Sequence, residues 1–143
     1  MSATGQKMHD VELEFRRTLQ APPERVFAAL NRAEHLARWF CDSAESDPRD
    51  GGALVLTWQR SGSSEQPFTG TWVAFQAPRM CAFEGGQPAH PDGYGGHVEW
   101  TLAAVEGGTL LVTVHRMPPR MEYAPLAATY ALAWPRALDR LVE

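Results

Sequence analysis

The amino-acid sequence predicts an α+β fold: a six-stranded antiparallel sheet, two short helices after its first strand, and a long C-terminal helix across the sheet's apolar face. Three observations predict it. An alternating run near the N-terminus stops at two prolines and passes at once into helical spacing. The middle of the chain is a series of β-type runs separated by short Gly, Pro and Ser breaks. The C-terminal stretch returns to apolar positions three and four apart.

The first strand spans residues 11 to 19, with Val11, Leu13, Phe15 and Leu19 on one face and Glu12, Glu14, Arg16 and Thr18 on the other. Arg17 interrupts the apolar face. It either faces a cavity and meets a carboxylate of protein or ligand, or a bulge turns it out to water. In APPERVFAAL, residues 21 to 30, the prolines cannot continue a ladder but suit the first turn of a helix, and Glu24 lies near the positive end of its dipole. Val26, Phe27 and Leu30 form the buried stripe. Asn31 is expected to stop this helix and cap a second one, Arg32 to about Phe40, with Leu36, Trp39 and Phe40 on its apolar side.

The acidic stretch DSAESDPRDGG reads as a loop, followed by strands over residues 53–59, 68–75, 80–84, 96–103 and 109–115. Linkers of roughly three to ten residues suit antiparallel hairpins, so these strands form a meander. The doublets Gly51-Gly52, Gly85-Gly86, Gly95-Gly96 and Gly107-Gly108 read as hairpin turns, and residues 87–96 as a mobile Gly/Pro loop. In the last helix Leu126, Tyr130, Trp134, Leu138 and Leu141 share one face, with Arg136, Asp139 and Arg140 off it. Pro135 should kink or split that helix just before Arg136.

Bulk properties exclude several functions. At 143 residues the chain is expected to be one domain, residues 1–143, with an ordered core from about residue 10 to 142. A chain of that size buries roughly two-thirds of its unfolded surface without metals or disulfides. A formal charge of −4, scattered arginines and a single lysine, Lys7, leave no basic face for nucleic acid or an anionic membrane. No signal-peptide core and no run of about eighteen apolar residues occurs, so a cytoplasmic location without membrane insertion is expected. Cys41 and Cys81 lack CxxC spacing and read as two reduced thiols.

Catalytic patterns are absent: no GxSxG, no GxGxxG and no phosphate-binding GK[ST] loop. No nucleotide cofactor is indicated. His90 and His97 flank the glycine loop without a matching Cys or carboxylate cluster, so no metal site is assigned. His97 and Glu99 share a strand face and could pass a proton, but Val98, Trp100 and Leu102 form the apolar side, which puts that pair toward solvent. His115 is open to either reading.

The order of these features resembles the START-like, or SRPBCC, superfamily with its helix-grip fold, and within it the bacterial homologues of the heat-shock-protein-90 ATPase activator. The resemblance rests on the strand entering APPERVFAAL, the helix ending LARWF, DPRDGG, FTGTW, the GHVEWTL and GGTLLVTV hairpin, and the closing AWPRALDRL, over about residues 10 to 142. It implies a curved sheet gripping the C-terminal helix, an apolar cavity between them, and the two short helices plugging one end. It also places Trp39, Trp72, Trp100, Tyr130 and Trp134, together with Trp58, Phe83 and Arg17, as ligand-contacting candidates, Tyr130 adding a hydroxyl that orients a ligand.

The expectation that follows is a protein, monomeric or homodimeric, that binds a small hydrophobic or aromatic ligand, without assigned catalytic residues. One alternative is a polyketide cyclase or aromatase-like enzyme, with polar groups such as Arg17, Tyr130, His97 or Glu99 moving protons. The other is an interaction module with a chaperone as its partner. The first of these alternatives needs at least two of its four residues in one cavity.

Overall fold

The computed structural model describes residues 11–58, 67–88 and 90–142; Lys7, Gln59 and Ala89 lie outside the described residues. Strand β1 (Val11–Leu19) gives way at Pro22 to helix α1 (Pro23–Asn31), and α2 (Ala33–Trp39) follows. The sheet continues through β2 (Ser43–Ser46), β3 (Ala53–Thr57), β4 (Phe68–Gln76), β5 (Met80–Gly86), β6 (Gly96–Val105) and β7 (Gly108–Met117), and α3 (Ala124–Val142) closes the chain. Its strand order is β1-β7-β6-β5-β4-β3-β2, antiparallel throughout, with β1 and β2 as open edges.

The sheet therefore has seven strands where the sequence predicts six. SAES lacks β-branched and aromatic residues and reads as loop, yet it pairs with β3 from Ser43↔Thr57 to Ser46↔Leu54. Ser46 explains part of the pairing: its hydroxyl donates to Asn31 O at 2.6 Å and accepts Trp72 Nε1–H at 3.1 Å. Asn31 ends α1 without capping α2. Its side-chain amide donates to Phe27 O at 2.7 Å, while the extended Arg32 forms the junction between the two helices.

Helix α3 runs unsplit through Pro135. Proline removes one helical hydrogen bond there, but Trp134, Ala137 and Leu138 are buried on either side of it, and their packing against the sheet holds the helix together. The concave face reads in rows. One runs Leu13, His115, Val98, Phe83 and Trp72; the next runs Phe15, Thr113, Trp100, Cys81 and Phe75. In β4 the two rows use residues three apart, which a regular strand would send to opposite faces. A register shift between Trp72 and Ala74 restores them to one face and leaves Val73 exposed.

Two of the four glycine doublets are turns, with positive φ at Gly51 and at Gly107. Gly85-Gly86 lies inside β5, and Gly95-Gly96 serves side chains: a Cβ on Gly95 would lie 2.7 Å from the His90 ring, and one on Gly96 2.7 Å from His115 Nε2. Both imidazoles pack where only glycine leaves room.

Candidate functional site

A cavity of about 200 Å³ lies between the concave sheet and α3. Its sheet wall is Leu56, Phe68, Phe83 and Val98, with Phe40 from the end of α2 closing one side. Helix α3 contributes Leu126, Tyr130 and Trp134 from the face predicted by its spacing, and Ala137, which that reading did not include. Thr129, Ala133 and Arg140 also line the cavity and are exposed, so they mark its rim.

The sequence candidates divide into wall and floor. Trp58, Phe83, Tyr130 and Trp134 line the cavity. Trp39, Trp72 and Trp100 do not; all three are buried in the core beneath it, at 4 %, 0 % and 0 % exposure. Trp100 packs against Phe83, Trp39 and Trp134 at centroid distances of 5.5, 5.9 and 6.0 Å, so it supports wall rings without reaching the space itself. Trp39 and Trp72 are anchored through their indole N–H groups, to Ala29 O at 2.8 Å and to Ser46 Oγ.

Arg17 keeps the interior register of β1, opposite Leu111, and no bulge turns it out. Its partner is Asp139 of α3 at 3.4 Å, a half-exposed pair off the cavity wall. His97 and Glu99 stand on the convex face. There His97 Nδ1 lies 2.9 Å from Glu84 Oε2, and Arg116 lies 3.2 Å from Glu12 and 3.8 Å from Glu99. Of the four groups that a cyclase-like reaction would draw on, Tyr130 alone lines the cavity. His90 and His97 are likewise on different sides of the sheet, and among the described residues no cluster of three metal-ligating side chains occurs.

Two wall histidines were not assigned from the sequence. His115, 2 % exposed, holds a fixed tautomer. Trp134 Nε1–H can only donate, and it does so to His115 Nδ1 at 3.0 Å; Gly95 O can only accept, and it lies 2.9 Å from Nε2. The proton is therefore on Nε2, both ring nitrogens are engaged, and neither is free to act as a base. Burial, reinforced by the neighbouring His90 and His97, lowers the His115 pKa from 6.5 to about 4.

His90 accepts the Gln87 N–H at Nδ1, 3.0 Å, and burial lowers its pKa as well, so it too is neutral with the proton on Nε2. The Tyr130 ring lies 4.5 Å from His115, tilted at 59° to it, and burial pushes its phenol up to about 12. That hydroxyl has no hydrogen-bond partner among the described residues. It stays protonated and available. Both buried thiols are pushed up by desolvation, Cys41 to about 11 and Cys81 to about 12, and neither forms a disulfide.

A curved antiparallel sheet folded around a terminal helix, with a partly open pocket between them, defines the START-like helix-grip class. The family model described as activator of Hsp90 ATPase homolog 1-like protein matches residues 20–143, and the chain belongs to that family. Solved structures agree on the fold. A protein from Rhodobacter sphaeroides is 25% identical with a TM-score of 0.78, over 92% of this chain and 89% of that one. CalU16 from Micromonospora echinospora is 23% identical with a TM-score of 0.73, over 92% and 74%. The Aha1 dimer from Colwellia psychrerythraea is 17% identical with a TM-score of 0.74, over 92% of each chain. No curated protein matches the sequence. Among the described residues no helix is long and apolar enough to cross a membrane.

Proposed function

We propose that this chain is a one-domain cytoplasmic protein that encloses a small, ring-bearing apolar molecule between its sheet and α3. The observation that carries the reading is the cavity of about 200 Å³ walled by Phe40, Trp58, Phe83, Tyr130 and Trp134. Cavities of roughly 150 Å³ with apolar walls hold a benzene, so this one suits one or two rings with short substituents. Tyr130 supplies the hydrogen bond that orients the guest. A cyclase-like reaction lacks motivation here, since Arg17, His97 and Glu99 stand away from Tyr130.

Native mass spectrometry of freshly purified protein, beside a denatured control, tests the reading. The expected result is a discrete adduct lost on denaturation, or, for ligand-free protein, a melting-temperature increase with small aromatic compounds. Ala137→Leu, which fills the space, should abolish both. Binding that survives this substitution would refute the assignment of the cavity.

The family description favours one second reading, a chaperone partner. It predicts that the purified chain stimulates the ATPase of the host's heat-shock-protein-90 homologue. An unchanged ATPase rate with saturating chain would end it.

A further inference from the structure

The cavity's uncommitted polar groups, among the described residues, can all donate a hydrogen bond. The chain carries 17 acidic residues and a net charge of −4, yet no Asp or Glu lines the cavity. What lines it instead, and lacks a partner among the described residues, is the Tyr130 hydroxyl, the Nε2–H of neutral His90, and the two Nη groups of Arg140. His115, Trp58 and Trp134 have spent their polar atoms within the protein.

Arg140 is the strongest of these. Its Nε donates to Trp39 O at 2.9 Å, the carbonyl of the last residue of α2. That bond fixes the plane of the guanidinium at the rim and leaves both Nη groups without a partner among the described residues, a fork whose parallel N–H bonds match a carboxylate. The nearest acid along the helix, Asp139, is directed to Arg17 on the other side. Ala137 lies about one helical turn towards the N-terminus and Trp134 nearly two, so an anion on the fork sits at the mouth of an apolar slot.

We infer that the ligand carries a carboxylate, clasped at the rim by the Nη edge of Arg140, with its apolar body in the slot beside Ala137 and Trp134. This rests on the ligand-binding reading above and adds to it the chemical class of the guest. The shared chemistry covers aromatic acids and short fatty acids. The wall rings favour the former.

Matched pairs test it: 2-naphthoate against 2-naphthamide, and decanoate against decanamide, titrated calorimetrically at pH 7 into wild type and Arg140→Gln. The expected result is that an acid binds wild type at least about tenfold more tightly than its amide, and that Arg140→Gln erases this preference while keeping amide affinity. Whichever pair shows the preference identifies the body as ring or acyl chain. Equal affinity for acid and amide in wild type, or a preference that survives Arg140→Gln, overturns the inference and leaves the cavity reading standing. Failure of all four compounds to bind wild type counts against both. Should Arg140→Gln lose the amide too, Arg140→Lys decides, since it keeps the charge without the fork. A preference cut at least about threefold supports the inference, and an undiminished one overturns it.

Discussion

His115 makes stability fall in mild acid, and the size of the effect can be worked from its surroundings. In the folded protein the ring is neutral, buried, and titrates near 4; unfolded, it regains its ordinary value of 6.5. Between these values the unfolded chain binds the proton more readily, so stability is fully present above pH 6.5 and is lost as pH falls toward 4. At about 1.4 kcal/mol per pH unit, the contribution lost is about 2 kcal/mol by pH 5 and about 3 kcal/mol by pH 4. His90 acts in the same direction. His115→Gln isolates the effect, because a glutamine amide can accept from Trp134 Nε1 and donate to Gly95 O without titrating. Urea unfolding of both proteins at pH 7 and pH 5 should show wild type losing about 2 kcal/mol more than the variant. Parallel pH profiles would refute the assignment of a neutral, buried His115.

Ser46→Ala should cost about 1–3 kcal/mol in urea unfolding, because it strands the N–H of fully buried Trp72 as well as losing the bond to Asn31 O. A loss under half of that would mean the edge strand is held by backbone pairing alone. Gly96→Ala should cost about 3 kcal/mol or more, since its Cβ would meet Arg116 O at 2.6 Å and the His115 ring at 2.7 Å on a backbone with φ of 122°. Near-normal melting of this variant would show that the loop yields where the structure gives it no room. Cys41 and Cys81 should resist a thiol-specific disulfide reagent at pH 8 and react fully in denaturant; rapid labelling of folded protein would contradict their burial.

The elements with strong periodicity were legible in the sequence, and those decided by a single long-range contact were not. β1, α1 and α3 announce themselves because each buries one face whose spacing is 2 or 3.6 residues. β2 does not, because its place depends on Ser46 meeting Asn31 O and the Trp72 indole, residues 15 and 26 positions away. The bulge at Val73 is equally hidden. Without it, Trp72 and Phe75 cannot both be interior, and no turn residue marks the spot.

The site was legible in type and only partly in membership. Aromatic richness and a one-faced terminal helix point to a walled space, but side-chain reach sorts the rings. Trp39, Trp72 and Trp100 fill the floor, while Phe40, Phe68 and His90 reach the wall. Arg140 lies off the apolar stripe by helical angle. Its long stem nevertheless carries the guanidinium back over the preceding turn to the rim, which spacing alone does not convey.

That the space persists follows from how its walls are tied. Trp58 Nε1 donates to Phe40 O at 2.6 Å, joining β3's end to α2's end. Trp134 is tied through His115 to Gly95, which links α3, β7 and the loop before β6 in one chain of hydrogen bonds. Arg140 ties α3 to the last carbonyl of α2. Closing the cavity by swinging Trp134 or His115 inward breaks a buried hydrogen bond and leaves a donor or acceptor unpaired, at about 1–3 kcal/mol each. Phe40 adds a packing constraint, stacked on Trp134 at 5.3 Å and edge-on to Trp58 at 5.4 Å, so no ring turns without its neighbours. A wall whose own polar groups are satisfied internally is preorganised for a guest. Among the described residues Tyr130, His90 and Arg140 keep hydrogen bonds to give, and the Tyr130 hydroxyl can also accept one.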